Sequence, residues 1–486
     1  MQALRLQAII LAAGKSSRFN TGKTKLIEKI CGQEMIAYPV TLLEQLTIPI
    51  TVVVGFQKEL VHETISQYAK TAVQFVTQFE QLGTGHAVQC TRAHWNRDHI
   101  LILNGDMPLI TQETITSLYH QHISTQSAVT FVTSHNPDPS NGAYGRVITT
   151  DGKVEIVEAK DFTGDINEHC CINAGIYLMR RDFLEATIDE LNTQNANHEF
   201  YLTDLIGIAA QKGLTVTTVS APFDRVRGIN TFQELWAAEQ IKKSEMIKYW
   251  MERGVRFAGA QMVHIDLNVT IGSGTYIGCG VHLLNGTKIG KNCKINEFSS
   301  LENSVAHDNV TVHAHSIVKD SILGAHSQVG PFAYIREQST IGNNTIIGNF
   351  VEIKNSIIGD FTKAKHLTYL GDSHIGNRVN IGAGTITCNH DGVRKHKTII
   401  QDDAYIGSNN SLVAPILIEK HAYTAAGSVI TQDVPQDTLA IGRARQVNKE
   451  GYAKKTRIKM ASRSSEDNSF VGATKTKHEN KQTDLA

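Results

Sequence analysis

From Ile265 onward an aliphatic residue returns every six positions, at Ile271, Ile277, Leu283, Ile289, Ile295 and Leu301. Glycine often follows directly (Gly272, Gly278, Gly290), and four places on stands a mostly small or β-branched residue: Val269, Thr275, Val281, Thr287, Cys293, Ser299 and Val305. Looser copies run on at Ile341, Ile347, Ile358, Ile375, Ile381 and Ile406, each followed by glycine. A period of six matches neither a helix nor an alternating strand. It predicts a parallel β-helix in which each repeat builds one flat face and turns its aliphatic inward. One coil cannot stand alone. Its three buried aliphatics are worth roughly 2 kcal/mol each, while ordering its ~18 residues costs about 1–2 kcal/mol apiece. Breaks in the rhythm around Gln328–Gln338 and Asp360–Asp372 are expected to be loops leaving the prism.

Before about Asn230 the pattern is different. Ala8–Leu11, Thr51–Val54, Val73–Val76, Ile100–Leu103 and Ala128–Val132 read as strands, alternating with amphipathic stretches at Ile36–Leu46, Gly85–His94 and Gln112–His120. That alternation predicts a Rossmann-like α/β domain with a mostly parallel sheet. Thr231–Met251 has helical spacing and a capping start at Asn230-Thr231. Four segments result: an α/β domain over 1–230, a helical linker over 231–251, a β-helix over 252–443 and a polar tail over 444–486. The tail is expected to be partly disordered, because Ser462–Ala486 contains almost no core-forming residues.

Composition narrows the function classes. Lys+Arg and Asp+Glu balance at 47 each among 486 residues, which removes whole-chain attraction to nucleic acid or an anionic membrane. The local basic cluster Lys454, Lys455, Arg457 and Lys459 reads as a solvated helix face or tail. No apolar run approaches the roughly 20 residues that span a bilayer. Leu6–Ala13 after Arg5 reads as a buried first strand rather than a leader, since Gly14-Lys15-Ser16-Ser17-Arg18 follows it. Seven cysteines without a Cys-x-x-Cys argue against a disulfide framework or a zinc site, and the expected setting is a reducing cytoplasm.

Two groups of residues carry chemistry. Leu11-Ala12-Ala13-Gly14 leads from the first strand into a loop with Arg18 and Lys25, suited to close approach of phosphates and to neutralising a leaving pyrophosphate. It is neither a Walker A loop nor a G-x-G-x-x-G. Asn104-Gly105-Asp106 ends a strand of the same sheet, where α/β ligands bind and where a carboxylate is a natural oxygen ligand for Mg²⁺. In Gln81-Leu82-Gly83-Thr84-Gly85-His86-Ala87 the glycines let backbone read a base edge. The second group surrounds His366 in Lys363–Asp372. An amine attacking a thioester must lose a proton, and a histidine titrating near neutrality is a natural acceptor. Arg336 and Lys354 suit a phosphate, and Glu352 an ammonium.

With these residues in view, the strings LAAGKSSRF, EQLGTGHA, NGDMPLI, GAYGRV, IVEAKD, INAGIY and RGIN resemble the sugar-phosphate nucleotidyltransferases. The likeness is to the uridylyltransferase half of the bifunctional UDP-N-acetylglucosamine pyrophosphorylase/glucosamine-1-phosphate N-acetyltransferase family. GPFAYIRE, NFVEIK, HLTYLGD, NIGAGTITCNHDG, KTII, IGSN and TAAGSVI continue the resemblance to about Arg443. It implies a left-handed β-helix, a homotrimer with sites between subunits, and small-molecule substrates on the route to peptidoglycan and lipopolysaccharide. Leu11, Ala12, Ala13, Gly14, Lys25, Gln78, Gly83, Thr84, Asn104, Gly105, Asp106, Gly145, Glu158, Asn173 and Asn230 would hold UDP-N-acetylglucosamine. Asp106 and Asn230 would bind Mg²⁺, with Arg18 and Lys25 steadying the phosphates of UTP. His366 would be the base; Arg336, Lys354, Tyr369 and Asn380 would hold glucosamine-1-phosphate. Ala383, Asn389, His390, Ser408, Ala426 and Arg443 would line the acetyl-CoA groove, with Asn389 also near the oxyanion. The chain departs from the family at Ser16-Ser17 (usually Gly-Thr), Thr24 (Pro), Glu337-Gln338 (Pro-Gly) and His390 (Tyr).

The expectation is therefore a two-site enzyme: acetyl transfer to glucosamine-1-phosphate, then uridylyl transfer to the product. The alternatives are a nucleotidyltransferase whose β-helix only assembles or regulates, and a non-catalytic subunit built on both folds. The retained HLTYLGD, TCNHDG, Asp106, Asn230 and Lys25 speak against both.

Overall fold

The computed structural model describes residues 4–15, 19, 21–137, 144–150, 153–165 and 170–475, with side chains to 463. The first domain is a twisted sheet in the order Val216–Ser220, Val129–His135, Cys171–Arg180, His99–Asn104, Leu6–Ala12, Ile50–Val54, Gln74–Thr77. All neighbours are parallel except Cys171–Arg180, which runs against both its partners and carries the hairpin Arg146–Thr150/Lys153–Val157. Leu6–Ala12 is a buried strand between Ile50–Val54 and His99–Asn104. The chain steps outward from it in both directions, so the crevice at its carboxyl end is a topological switch point.

The helix Phe232–Met251 follows. Its cap is built from site residues: Thr231 Oγ1 accepts from Glu234 N, while Glu234 Oε2 accepts from Asn230 N at 2.6 Å. The buried Ala238, Met246 and Ile247 of this helix pack into the same apolar cluster as the second domain's core.

That domain is the left-handed parallel β-helix. Its strands are two to nine residues long and fall into a 19-stranded and a 9-stranded sheet. Register advances by one coil at a time: Ile265 pairs with Leu283, Leu283 with Leu301, Leu301 with Val318, Val318 with Ile335, and Ile335 with Ile353. Every aliphatic of the sequence repeat from Ile265 to Leu301 is buried. The small positions are buried too, up to Ser299; beyond Leu301 the coil shortens by a residue, and Ser304 takes the inward place expected of Val305. Their hydroxyls satisfy corner backbone, as Thr275 Oγ1 does with Gly290 O at 2.9 Å and Cys293 N at 3.1 Å. On one outer corner Phe298, His315, Phe332 and Phe350 stack with centroids 5.1–5.6 Å apart.

Two expectations need correction. Gln328–Gln338 and Asp360–Asp372 are not loops. Gln328–Val329 and Tyr334–Arg336 are strands, and Lys363–Gly371 is a nine-residue strand paired with Ile346–Lys354. Val329 and Ile335 in fact keep the six-residue spacing between Leu323 and Ile341 through the first segment, and in the second it blurs where the small Ala364 fills the inward place ahead of Leu370. The real excursion is Asn389–Lys397, where one coil takes 25 residues between Ile375 and Ile400. In the tail Tyr452–Lys475 is helical, and 476–486, the rest of the stretch expected to be disordered, lies outside the described residues. The helix's Lys, Arg, Ala and Met are good helix formers even without an apolar stripe. Lys454, Lys455, Arg457 and Lys459 are exposed on it.

Candidate active sites

At the switch point lies a cavity of about 440 Å³, lined by Leu11, Ala12, Ala13, Gly14, Lys25, Gln78, Gly83, Thr84, Asn104, Asp106 and Asn230 together with Gln81 and Glu199. A second cavity of about 340 Å³ adjoins it and adds Gly145, Glu158 and Asn173. The two share Leu11, Thr84, Asn104, Asp106 and Asn230, so they form one continuous cleft with a wider and a narrower half. Arg18, with Ser16 and Ser17, lies outside the described residues.

The shared wall is electrostatically organised. Lys25 Nζ sits 2.5 Å from Asp106 Oδ2 and 2.7 Å from Asn230 Oδ1. Asp106 Oδ1 is buried with no hydrogen-bond partner among the described residues. Backbone holds the pair in place, since Ile229 N donates to Asp106 O at 3.0 Å and Gly105 N to Leu11 O at 2.9 Å. Thr24, where the family has proline, caps the Lys25–Ile27 turn through its side chain, and its N–H donates to Gln57 Oε1 at 2.8 Å. A proline would have no such donor.

Gly83 adopts φ +111°, and a Cβ there would meet Phe200 O at 2.6 Å. Residues 199–202 clamp this loop: Phe200 N donates to Leu82 O, Gly85 N to Phe200 O, and Leu202 N to Thr84 Oγ1 at 3.0 Å. In the narrow half, Asn173 Nδ2 donates to Tyr177 OH at 2.6 Å and Thr203 Oγ1 donates to Glu158 Oε1 at 2.9 Å. Burial pushes the Glu158 carboxyl above its ordinary range, helped by Asp204, Asp161 and Glu199 and opposed by Thr203. Glu199 and Thr203 were not anticipated, because they enter from a distant segment with no local motif; Tyr177 closes the INAGIY string that carries Asn173, but no role was read for it.

On the prism, His366 Nδ1 lies 3.0 Å from Asn349 Oδ1. An amide oxygen only accepts, so Nδ1 carries the proton and Nε2 is left with its lone pair. The ring is exposed within the single chain. Parallel register sets Ala364 beside Ile381, Ile381 beside Ile406 and Ile406 beside Thr424. Two residues on, His366, Ala383, Ser408 and Ala426 therefore form one column, a histidine heading a track of small side chains. Arg443 lies at its far end, with Cδ near the Gly427 position.

Arg336 and Lys354 pair in adjacent coils, as do Glu352 and Tyr369. Arg336 Nη2 is 2.7 Å from Glu352 Oε1, and Lys354 Nζ is 3.4 Å from Glu337 Oε2. Asn380 does not join this row: its register partners are Lys363 and Tyr405, on another run of the coil. Asn389 Nδ2 donates to Asp372 Oδ2 at 2.5 Å, and Asn355 Nδ2 to Asp372 Oδ1 at 2.6 Å. Burial would raise the Asp372 carboxyl, but these amides with Lys354 and Lys395 hold it below its ordinary range. His390 opens the excursion, its Nδ1 accepting from Gly392 N. Asn349, Asp372 and Lys395 are the residues missed here; the clue for Asn349 was its place one coil before His366.

Residues 8–190 match the family model of the MobA-like NTP transferase domain, and residues 260–340 that of the GMPPB C-terminal domain. Across nearly its whole length the chain is 42% identical to the bifunctional protein GlmU of Exiguobacterium sp., covering 92% of this chain and 99% of that one. It is 41% identical to GlmU of Clostridioides difficile (93% and 98% covered) and 40% identical to GlmU of Alkaliphilus metalliredigens (92% and 98%). The chain belongs to the GlmU family. As a GlmU it is the two-activity transferase indicated by the sequence, pairing uridylyl transfer with acetyl transfer. The reading in which the β-helix only assembles or regulates loses to it. Similarity to GlmU runs unbroken through both the cleft and the prism.

Proposed function

We propose that the prism acetylates the amine of glucosamine-1-phosphate from acetyl-CoA, and that the cleft then joins the product to the uridylyl group of UTP, releasing pyrophosphate. In the prism, His366 Nε2 takes the proton from the attacking amine while Asn349 fixes the tautomer. The Ala383–Ser408–Ala426 column seats the slender arm of acetyl-CoA, with Asn389, His390 and Arg443 at its borders. Arg336 and Lys354 meet the sugar phosphate beside Tyr369. Asn380 reaches the same sugar only from a second copy, which favours the homotrimer.

In the cleft, Gln78, Gly83 and Thr84 select the base, Gly145, Glu158 and Asn173 the acetamido sugar, and Ala12–Gly14 with Lys25 the phosphates. Little covalent work falls to the protein; alignment and charge neutralisation carry the rate. Asp106 and Asn230 suit Mg²⁺. Their oxygens already converge on one cation, the Lys25 ammonium, and Asp106 Oδ1 is unsatisfied. A metal held by two protein oxygens keeps room for water and phosphate, and supplies charge neutralisation at the reacting phosphorus. The expected setting is the cytoplasm, upstream of peptidoglycan and lipopolysaccharide.

The single observation carrying this reading is the convergence of Lys25, Asp106 and Asn230 on the wall shared by the two cavities. Supplying glucosamine-1-phosphate, acetyl-CoA, UTP and Mg²⁺, and omitting each in turn, tests it. Free thiol should still appear without UTP, and pyrophosphate should not appear without acetyl-CoA.

A further inference from the structure

Around the rung that pairs Arg336 with Lys354, the described residues place three cations, Arg336, Lys354 and Lys395, among three carboxylates, Glu337, Glu352 and Asp372. The group is electroneutral as it stands, and a phosphate dianion gains little by entering it unless one carboxylate leaves. Two are committed. Asp372 is buried and held by Asn355 and Asn389, and Glu352 Oε1 accepts from both Nε and Nη2 of Arg336. Glu337 is different: its side chain is half exposed, and it bridges Arg336 Nη1 and Lys354 Nζ with one oxygen each. Lys354 is the most buried of these cations, its side chain 9% exposed. Glu337 and Gln338 both sit at positive φ, +53° and +59°, so a tight corner aims this carboxylate back over the row.

We propose that Glu337 is a built-in competitor for the phosphate of the amino-sugar substrate, occupying the anion seat of Arg336 and Lys354 until the substrate displaces it. It is a specificity-determining residue of the acetyl-transfer site, and the inference rests on that site's phosphate seat being the one proposed above. Displacement spends part of the phosphate's binding energy, so the carboxylate sets affinity and rejects weaker anions. The released carboxylate lies next to solvent and needs no buried refuge.

The test is steady-state acetyl transfer by the full chain, with inorganic phosphate as the competing probe. Glu337→Gln should lower KM for glucosamine-1-phosphate by roughly three- to tenfold at low salt, lower the inhibition constant of inorganic phosphate in parallel, and leave KM for acetyl-CoA in place. The change should be carried by KM rather than kcat, and uridylyl transfer in the same preparation reports that the variant is folded. Lys354→Ala is the control for the seat itself and should raise KM for the sugar phosphate. If Lys354→Ala raises KM but Glu337→Gln raises it or leaves it alone, the competitor role is overturned and the seat stands. If Lys354→Ala has no effect on KM or on phosphate inhibition, the seat itself is misplaced and the inference falls with it.

Discussion

His366 and Asn349 stand opposite each other in adjacent coils, ring Nδ1 to amide Oδ1 at 3.0 Å. The imidazole is thereby tautomerically fixed without a carboxylate behind it. His366→Ala should cost acetyl transfer about 10²–10⁴-fold while pyrophosphate release from UTP persists. Asn349→Ala should cost about 10–100-fold, the scale of lost orienting partners. Asn349→Asp should move the acid limb of the acetyl-transfer pH profile upward, because a carboxylate favours the imidazolium. An unshifted limb would remove Asn349 from its orienting role.

Lys25, Asp106 and Asn230 form the matching unit in the cleft. Asp106→Ala should abolish UTP-dependent pyrophosphate release and leave thiol release from acetyl-CoA nearly intact. Lys25→Ala should cost at least about 10²-fold, the scale of one lost electrostatic stabiliser. Equal loss of both activities in either variant would mean that the two sites are not independent.

His122 supplies a pH prediction. It is buried, its Nδ1 2.9 Å from Thr130 Oγ1 and its Nε2 3.2 Å from His99 Nδ1. Burial, then the neighbouring His99 and Arg180, depress it from 6.5 to about 4. Between those values the unfolded chain binds a proton that the native one refuses, so stability is full above about 6.5 and falls as the pH drops toward 4. The loss has a ceiling of about 3 kcal/mol. His122→Gln should flatten the dependence of the first domain's melting temperature on pH over that window.

Gly348 precedes the His366 partner, and a Cβ there would lie 1.8 Å from Lys365 O. Gly348→Ala must push the strand carrying His366 outward. Acetyl transfer should drop more than tenfold, with uridylyl transfer unaffected. Ile353→Ala, at a fully buried rung, should cost about 2–5 kcal/mol in prism stability, read by denaturant unfolding.

The repeat made the prism legible because each inward place from Ile265 to Leu301 is an independent vote for the same coil. The signal faded where the small Ala364 fills an inward place, and a nine-residue strand was mistaken for a loop. Motif-bearing site residues such as Asp106, Glu158 and His366 were visible; their supports were not. Thr203 and Glu199 touch the site through tertiary folding alone, and Glu337 was noticed as an odd residue with no hint of where its carboxylate points. A solvated helix face was one of the two readings of the basic cluster in the tail, and Tyr452–Lys475 takes that form.

The coil-by-coil register has a kinetic corollary. Four steps, from Ile265 through Leu283, Leu301 and Val318 to Ile335, separate the linker helix from the acetyl-transfer row. At about 4.8 Å per step that is roughly 19 Å of solid sheet. Within one chain the acetylated intermediate should therefore be handed over as a dissolved metabolite rather than passed hand to hand, and an external pool of it should mix freely with what the prism makes.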